Sequence, residues 1–193
     1  MRVIAGSAGG IHLDAPKSGV RPTMDRVKAA IFSSLGEEVI GARVLDLFAG
    51  TGSLGIEALS RGAASALFVE ENAAAVAAIE RNLTRTKLEG RVRRQDVFGF
   101  LRAALVPEQF RIVFADPPYE KTKSGEEFTR LLLESAELAQ IIEPSGIFVL
   151  EKRPTEKLPS TTLFDVVRAR RYGATEVLFL QRATVAPESR GPR

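Results

Sequence analysis

The stretch Val44-Leu-Asp-Leu-Phe-Ala-Gly-Thr-Gly-Ser-Leu-Gly55 decides the fold class of this chain. Its apolar start, Val44–Phe48, predicts a buried strand, and the pattern of Ser53–Arg61 predicts a helix that follows at once and ends at Gly62. Glycines between a strand and a helix let the backbone approach a ligand without a clash of Cβ atoms. This context therefore predicts a nucleotide-binding loop.

Strand and helix patterns alternate through the rest of the chain. The other predicted strands of the central part are Ala66–Glu70, Val92–Val97, Arg111–Ala115 and Gly146–Glu151, and the predicted helices are Asp25–Leu35, Asn72–Leu88, a segment through Leu105, and Glu126–Ile142. Two final strands, Leu163–Arg170 and Glu176–Arg182, are joined at Tyr172-Gly173 and are expected to pair antiparallel. The order predicts an α/β, Rossmann-like fold with a seven-stranded, mostly parallel sheet, an antiparallel C-terminal strand pair and helices on both faces.

The length of 193 residues predicts a single domain. We expect that domain to cover residues 1–182, with a hairpin and a helix as an N-terminal extension over 1–40 and the Rossmann-like core over 43–182. The tail, 183–193, is polar and contains proline and glycine, which predicts disorder.

The composition excludes several kinds of chemistry. The chain has no cysteine and one histidine, His12, so disulfides, thiol catalysis, a histidine-based triad and a multi-histidine metal site are not expected. No apolar run approaches the ~20 residues of a membrane span, and the start of the chain lacks the apolar segment of a signal peptide. These features predict a cytoplasmic protein that uses no metal and no membrane.

The net charge of +3 is unevenly distributed. Residues 46–151 hold twelve Lys/Arg against sixteen Asp/Glu, whereas residues 152–193 hold nine against four, and residues 1–45 hold six against four. A polyanionic partner would therefore be bound by the flanks of the chain and not by its centre. The alternative is that these charges only solvate a surface.

Three acids follow or end predicted parallel strands. Asp46 lies in the glycine loop, Glu70 ends the second strand and Asp96 lies near the end of the third. The carboxyl ends of parallel strands meet at one edge of a sheet, where Glu70 could accept hydrogen bonds from ribose hydroxyls and Asp96 from an adenine amino group. Asp46 would repel the pyrophosphate of NAD but attract the sulfonium and ammonium groups of S-adenosylmethionine (SAM), so SAM is favoured over NAD.

The tetrapeptide Asp116-Pro-Pro-Tyr119 follows the fourth predicted strand. The Asp116 carboxylate and the Pro117 carbonyl could accept the two N–H groups of an exocyclic base amine, and so direct its lone pair at a methyl group. Pro117 and Pro118 would hold that carbonyl in a fixed direction. Tyr119 offers a face on which an extruded base could stack.

The combination of these motifs resembles the RsmD family of class I SAM-dependent methyltransferases. The resemblance covers about residues 1–182 and is carried by Arg2-Val-Ile-Ala-Gly6, Arg21-Pro-Thr23, Asp25-Arg-Val27, Leu45–Gly52, Leu54-Gly-Ile-Glu-Ala-Leu-Ser-Arg-Gly62, Asp116–Tyr119 and Tyr172-Gly173. It implies methylation of the N2 atom of a guanine in 16S ribosomal RNA (rRNA), on free RNA or on an assembling small ribosomal subunit. A monomer is expected.

The resemblance also implies roles for individual residues. The catalytic set is Asp116, Pro117, Pro118 and Tyr119, the cofactor-binding set is Thr23, Asp46, Phe48, Gly50, Gly52, Leu54, Glu70, Asp96 and Val97, and the RNA-binding pair is Arg21 and Arg26. The chain departs from the family pattern in the first hairpin, where Gly9, Gly10 and His12 replace basic residues, and at Ala29, where an acid is common. The motifs alone also allow adenine-N6 methylation of RNA or DNA, methylation of proteins or small molecules, or a non-catalytic binding module.

Overall fold

Seven strands form one sheet in the computed structural model, which describes residues 1–14, 22–103, 109–118, 124–160 and 163–183, with only the backbone of 22–24 and 124–126. In chain order the strands are β1 (Arg43–Leu47), β2 (Ser65–Glu70), β3 (Arg91–Arg94), β4 (Phe110–Ala115), β5 (Ile142–Lys152), β6 (Phe164–Tyr172) and β7 (Thr175–Arg182). Their order across the sheet is β3-β2-β1-β4-β5-β7-β6. Pairing is parallel from β3 to β5 and antiparallel at β7 and β6, as the sequence predicts.

Six helices cover the two faces of the described sheet. They are α1 (Pro22–Leu35), α2 (Ser53–Ser60), α3 (Ala73–Thr86), α4 (Val97–Ala103), α5 (Ser124–Leu133) and α6 (Ala136–Ile141). Alternate residues of each buried strand point to opposite faces, so Val44 packs in the layer of α1, α2 and α3, while Leu45 packs in the layer of α4, α5 and α6. The Rossmann-like fold class is therefore confirmed.

Three predicted boundaries are wrong. The predicted helix Glu126–Ile142 is two helices, because Ser135 begins a new one by accepting a hydrogen bond from Leu138 N at 3.0 Å. Val97 starts α4 and is not in a strand, since the Asp96 carboxylate caps that helix by accepting from Gly99 N at 2.6 Å. Helix α3 ends at Lys87, which has a left-handed φ of 56°, before the expected stop at Gly90.

The N-terminal hairpin packs on α2 through one buried acid. Arg2 and His12 form an antiparallel bridge, and the Glu57 carboxylate accepts from Ile4 N at 2.7 Å and Ala5 N at 3.1 Å. Glu57 also pairs with Lys28 of α1, whose side chain is 4% exposed. The N-terminal segment is thus fixed to the helix that follows the glycine loop.

Some expectations lie beyond these observations. The tail from residue 184 onward, expected to be disordered, lies outside the described residues. The domain boundaries at 40, 43 and 182 stay predictions. In the described ranges, no helix is both long enough and apolar enough to cross a membrane.

Candidate active site

A cleft of about 460 Å³ opens where the parallel strands end. Seven of the nine residues predicted to bind the cofactor line it: Asp46, Phe48, Gly50, Leu54, Glu70, Asp96 and Val97. Gly52 is buried beneath the loop with a left-handed φ of 77°, so it shapes the turn and does not line the cleft. Thr23 lies in α1, and its side chain is outside the described part.

Two of these acids hold the glycine loop in place. Asp46 is 2% exposed, and its Oδ2 atom accepts a hydrogen bond from Gly55 N at 2.9 Å. Glu70 accepts from Gly50 N at 2.8 Å with Oε2 and from Asn72 N at 2.8 Å with Oε1. Each carboxylate oxygen has a second lone pair, so Glu70 can brace the loop and still accept from a ligand hydroxyl.

Gly55 is required at its position by packing. A Cβ atom there would lie 2.3 Å from Cε1 of Phe68 and 3.1 Å from the Asp46 carboxylate. The start of α2 therefore lies closer to β1 and β2 than any residue with a side chain would permit. This close approach lets the Gly55 amide reach Asp46.

The tetrapeptide predicted to be catalytic, Asp116–Tyr119, is described as far as Pro118. Asp116 is half-buried directly after β4 and lines the same cleft as Asp46 and Glu70. Pro118 also lines the cleft, whereas Pro117, between them, is a buried residue. Tyr119 lies outside the described residues.

Glu151 does not line the cleft but is a partly buried acid next to Asp116, and the sequence did not indicate it. Ala115 pairs with Leu150 in the sheet, so the next residues, Asp116 and Glu151, lie side by side at the ends of β4 and β5. Burial raises the pKa of Glu151 well above its usual value, and the negative charges of Asp116 and Asp46 raise it further. The sequence signal was weak, because only the strand register shows that Glu151 neighbours Asp116.

Burial also raises the pKa of Asp46, to about 8, against the lowering effect of the Gly55 hydrogen bond. The charges of Asp116 and Glu70 add to the increase. Because this folded-state pKa lies above the ordinary 3.8, the stability that Asp46 contributes is lost as the pH rises from about 4 towards 8. Asp46 and Glu151 thus lose their protons less readily than ordinary carboxyl groups, and a bound cation would favour their ionised forms.

An aromatic cluster closes one end of the cleft. Phe48 adopts a left-handed φ of 54°, a conformation uncommon for residues other than glycine, and its ring lies 5.6 Å from that of Phe128 and 6.2 Å from that of Phe98. Phe98 and Phe128 stack at 5.8 Å. Of the three, only Phe48 was predicted, because α4 and α5 bring the other two rings from distant parts of the chain.

The other residues that line the cleft are Met1, Ala49, Thr51, Ser53, Glu71 and Phe128. Ala49, Thr51 and Ser53 belong to the loop Asp46–Leu54, which was expected as a whole to line the methionine end of SAM, whereas Met1, Glu71 and Phe128 were not predicted. The presence of Met1 depends on the docking of the hairpin, which no local pattern indicates.

The predicted RNA-binding pair is only partly described. Arg26 lies on α1 with an exposed side chain, and Arg21 lies outside the described residues. Arg26 does not line the cleft. Its contact with RNA stays a prediction.

Comparison with known proteins identifies the family. A family model described as conserved hypothetical protein 95 matches residues 1–181. YlbH of Bacillus subtilis strain 168, provisionally named an rRNA methyltransferase, is 39% identical over 188 residues, which are 94% of this chain and 99% of that protein. Ribosomal RNA small subunit methyltransferase D (RsmD) of Escherichia coli strain K12 is 40% identical over 123 residues, 63% of this chain and 61% of that protein. The chain belongs to the RsmD family.

Solved structures agree with a methyltransferase fold. The E. coli protein yhhF, provisionally named a methyltransferase, is 32% identical with a TM-score of 0.78, and the match covers 94% of this chain and 97% of that one. A Thermus thermophilus 16S rRNA N2 methyltransferase, RsmC, solved with AdoMet and guanosine, is 25% identical with a TM-score of 0.66 over 86% of this chain and 44% of that one. The fold is that of class I methyltransferases.

Proposed function

We propose that this RsmD-family protein transfers a methyl group from SAM to the exocyclic N2 atom of a guanine in 16S rRNA. The observation that carries the proposal is that Asp116 and Pro118 line the same cleft as Asp46, Glu70 and Asp96. An acceptor for a base amine and the acids suited to SAM therefore share one cavity. The E. coli relative named for the small-subunit rRNA supports the choice of substrate.

The cleft suits a cationic nucleoside. Its volume of about 460 Å³ is within the usual range of ligand pockets, and its buried Asp46 is a carboxyl group whose ionised form needs a cation. Asp46 and the loop from Phe48 to Leu54 would hold the methionine end, Glu70 the ribose, and Asp96 with Val97 the adenine. SAM supplies the methyl group when it is bound.

The target amine would be held by the other side of the cleft. The Asp116 carboxylate would accept one N–H of the guanine amine and the Pro117 carbonyl the other, which frees the nitrogen lone pair from the ring. After methylation this nitrogen carries an extra proton, which must leave. Asp116, which has Glu151 beside it, would accept this proton. The positively charged nitrogen favours an ionised carboxylate as its neighbour.

The decisive experiment for the proposed function is methyl transfer to small ribosomal subunits from cells that lack this gene. Labelled SAM is the donor, and mass spectrometry identifies the labelled nucleoside. N2-methylguanosine at one site in 16S rRNA supports the proposal. N6-methyladenosine would overturn the base assignment, and the absence of label from RNA would overturn the substrate class.

Binding of SAM should release close to one proton at pH 7. Asp46, whose pKa is raised to about 8, is mostly protonated before binding, and the cation favours its ionised form. The affinity for SAM should therefore increase by up to about tenfold for each unit by which the pH is raised between 6 and 8. Titration of the SAM amino group adds its own pH dependence to this effect.

Calorimetry in two buffers of different ionisation enthalpy measures this proton release. Asp46→Asn should release fewer protons than the wild type, and S-adenosylhomocysteine, which lacks the sulfonium charge, should also release fewer. The Asp46→Asn variant shares any contribution from the SAM amine and is thus the matched control. Equal proton release by the variant and the wild type would contradict the role given to Asp46.

Glu70→Ala should weaken SAM binding by about 10- to 100-fold, because charge-assisted hydrogen bonds to the ribose are lost. Glu70 also braces Gly50 and Asn72, so Glu70→Gln serves as the comparison that keeps an acceptor. We expect an intermediate affinity for Glu70→Gln by calorimetry. Unchanged affinity in Glu70→Ala would place the ribose elsewhere.

A further inference from the structure

The cleft is lined by acids, which poses a physical problem for an enzyme that acts on RNA. Asp46, Glu70, Glu71, Asp96 and Asp116 all line it. Carboxylates repel phosphates, so attraction to the RNA backbone must come from a basic surface beside the cleft. On the Asp116 side of the described sheet, the edge strand β6 carries exposed arginines.

Strand β6 is an exposed edge that carries three arginines. Residues 165–171 are all exposed, and Arg168, Arg170 and Arg171 lie among them. Edge strands of this kind commonly carry charged residues, which prevent pairing with other chains, so exposure alone does not indicate a function. The absence of ion pairs among the described residues and the position of the three arginines relative to the cleft are two independent observations that do indicate one.

The three guanidinium charges are not neutralised by carboxylates. Within the described ranges, Arg168 donates to Ser34 O at 3.4 Å, Arg170 to Ala169 O at 3.1 Å and Arg171 to Gly173 O at 3.4 Å, and none of them forms an ion pair. Glu176 lies opposite Arg171 across the strands but binds Lys152 at 2.8 Å.

Other surface arginines of the described ranges fall into two groups: Arg93, Arg94 and Arg102 also form no ion pair, whereas a second group does. Arg43, Arg81, Arg85, Arg111 and Arg130 each lie within ion-pair distance of an acid. Strand β6 therefore presents positive charge that is available to a polyanion.

The strand register places these arginines level with the catalytic aspartate. Arg170 pairs with Val177, which pairs with Glu151, which lies beside Asp116. Three strand spacings separate Arg170 from Asp116, or ~14 Å. Because β6 runs parallel to β5, its carboxyl end, with Arg170 and Arg171, reaches the same edge of the sheet as the cleft.

We infer that β6 is the surface that binds the RNA backbone next to the target nucleotide, through phosphate contacts of Arg168, Arg170 and Arg171. This inference rests on the proposed function and adds the position of the RNA. Arginine donors in a planar fork suit phosphate oxygens. The first hairpin carries neither lysine nor arginine at Gly9, Gly10 or His12.

The test compares two charge-matched triple variants of the whole protein. R168Q/R170Q/R171Q removes the β6 charges, and R93Q/R94Q/R102Q removes three exposed arginines, two on the opposite edge strand β3 and one on α4. Binding to 16S rRNA transcribed in vitro is measured between 50 and 200 mM salt. SAM binding is measured in parallel.

The β6 variant should bind the RNA about 10- to 100-fold more weakly near 100 mM salt, and its salt slope should fall by about 2 to 3 units, close to one per lost contact. The control variant should change both quantities much less. Both variants should bind SAM as the wild type does. In methyl transfer, KM for the RNA should rise in the β6 variant with little change in kcat.

Arg168 also lies over the Phe179 ring, at 5.8 Å, so its loss could disturb packing. R170Q/R171Q keeps that contact and should show about two thirds of the slope change. Two results would overturn the role of β6 alone, provided that the wild type binds and methylates RNA. One is an equal loss of RNA binding in the two triple variants, and the other is no loss in the β6 variant. A wild type that neither binds nor methylates 16S rRNA, whether as the transcript or within small ribosomal subunits, would overturn the proposed function together with this inference.

Discussion

Asp116→Ala should lower the turnover of methyl transfer by about a thousandfold while SAM still binds. The Asp116 carboxylate lies at the end of β4 in the cleft and is the proposed acceptor for the base amine, whose lone pair is otherwise delocalised into the ring. Removing a single preorganised group that stabilises a transition state typically costs about 10²- to 10³-fold in rate. Loss of the proton acceptor adds to this effect.

Two controls separate this role from a general effect of charge. Asp116→Asn keeps one acceptor oxygen without the charge and should retain more activity than Asp116→Ala. Glu71→Ala removes another carboxylate that lines the cleft and should leave turnover within a few-fold of the wild type. Single-turnover transfer to small subunits and calorimetry with SAM are the measurements. Turnover near that of the wild type in Asp116→Ala would disprove the mechanism.

Glu57→Gln should destabilise the protein by about 3–5 kcal/mol, because it leaves a buried cation without its partner. The Glu57 side chain is 0% exposed and accepts from Ile4 N, from Ala5 N and from Arg61 Nε at 2.7 Å, with Lys28 Nζ at 3.5 Å. Burial lowers the pKa of Lys28, while the charge of Glu57 opposes that shift. A glutamine loses the charge and turns its NH2 donor towards the backbone N–H of either Ile4 or Ala5.

Urea unfolding and the melting temperature measure this effect. A loss of that size corresponds to a decrease in Tm of roughly 6–20 °C for a chain of this length. Glu80→Gln on the exposed face of α3 is the matched control and should change stability by less than about 0.5 kcal/mol. Adding Lys28→Met to Glu57→Gln should restore part of the stability, since no cation is then left buried. Equal stability of Glu57→Gln and Glu80→Gln would contradict this account.

Much of the fold and part of the site follow from local patterns. The alternation of strands and helices predicted the sheet and its antiparallel C-terminal pair, because the period of apolar residues reports which faces are buried. The helix break at Ser135 was missed, since an amphipathic pattern continues across it and only the capping hydrogen bond reveals it. The stop at Lys87 was missed for a similar reason, as a lysine rarely adopts a left-handed φ.

The candidate site likewise contains residues that local patterns predicted and residues that they did not. The glycine loop and the acids Asp46, Glu70, Asp96 and Asp116 were predictable, because the carboxyl ends of parallel strands must meet at one edge of the sheet. Glu151 and Phe128 were not, because no spacing in the sequence shows which later strand pairs with β4 or which helix packs against Phe48.

The sequence by itself thus determined the fold class, the family and four of the five acids that line the cleft. Each depends on residues close together in the chain or on the general geometry of parallel sheets. Only the tertiary structure decided that Asp46 is buried enough for its pKa to reach about 8, that Glu57 binds both Lys28 and the hairpin, and that Arg170 is level with Asp116 across the sheet. Burial, ion pairing and register arise from contacts between distant segments, and those contacts exist only once the sheet has formed.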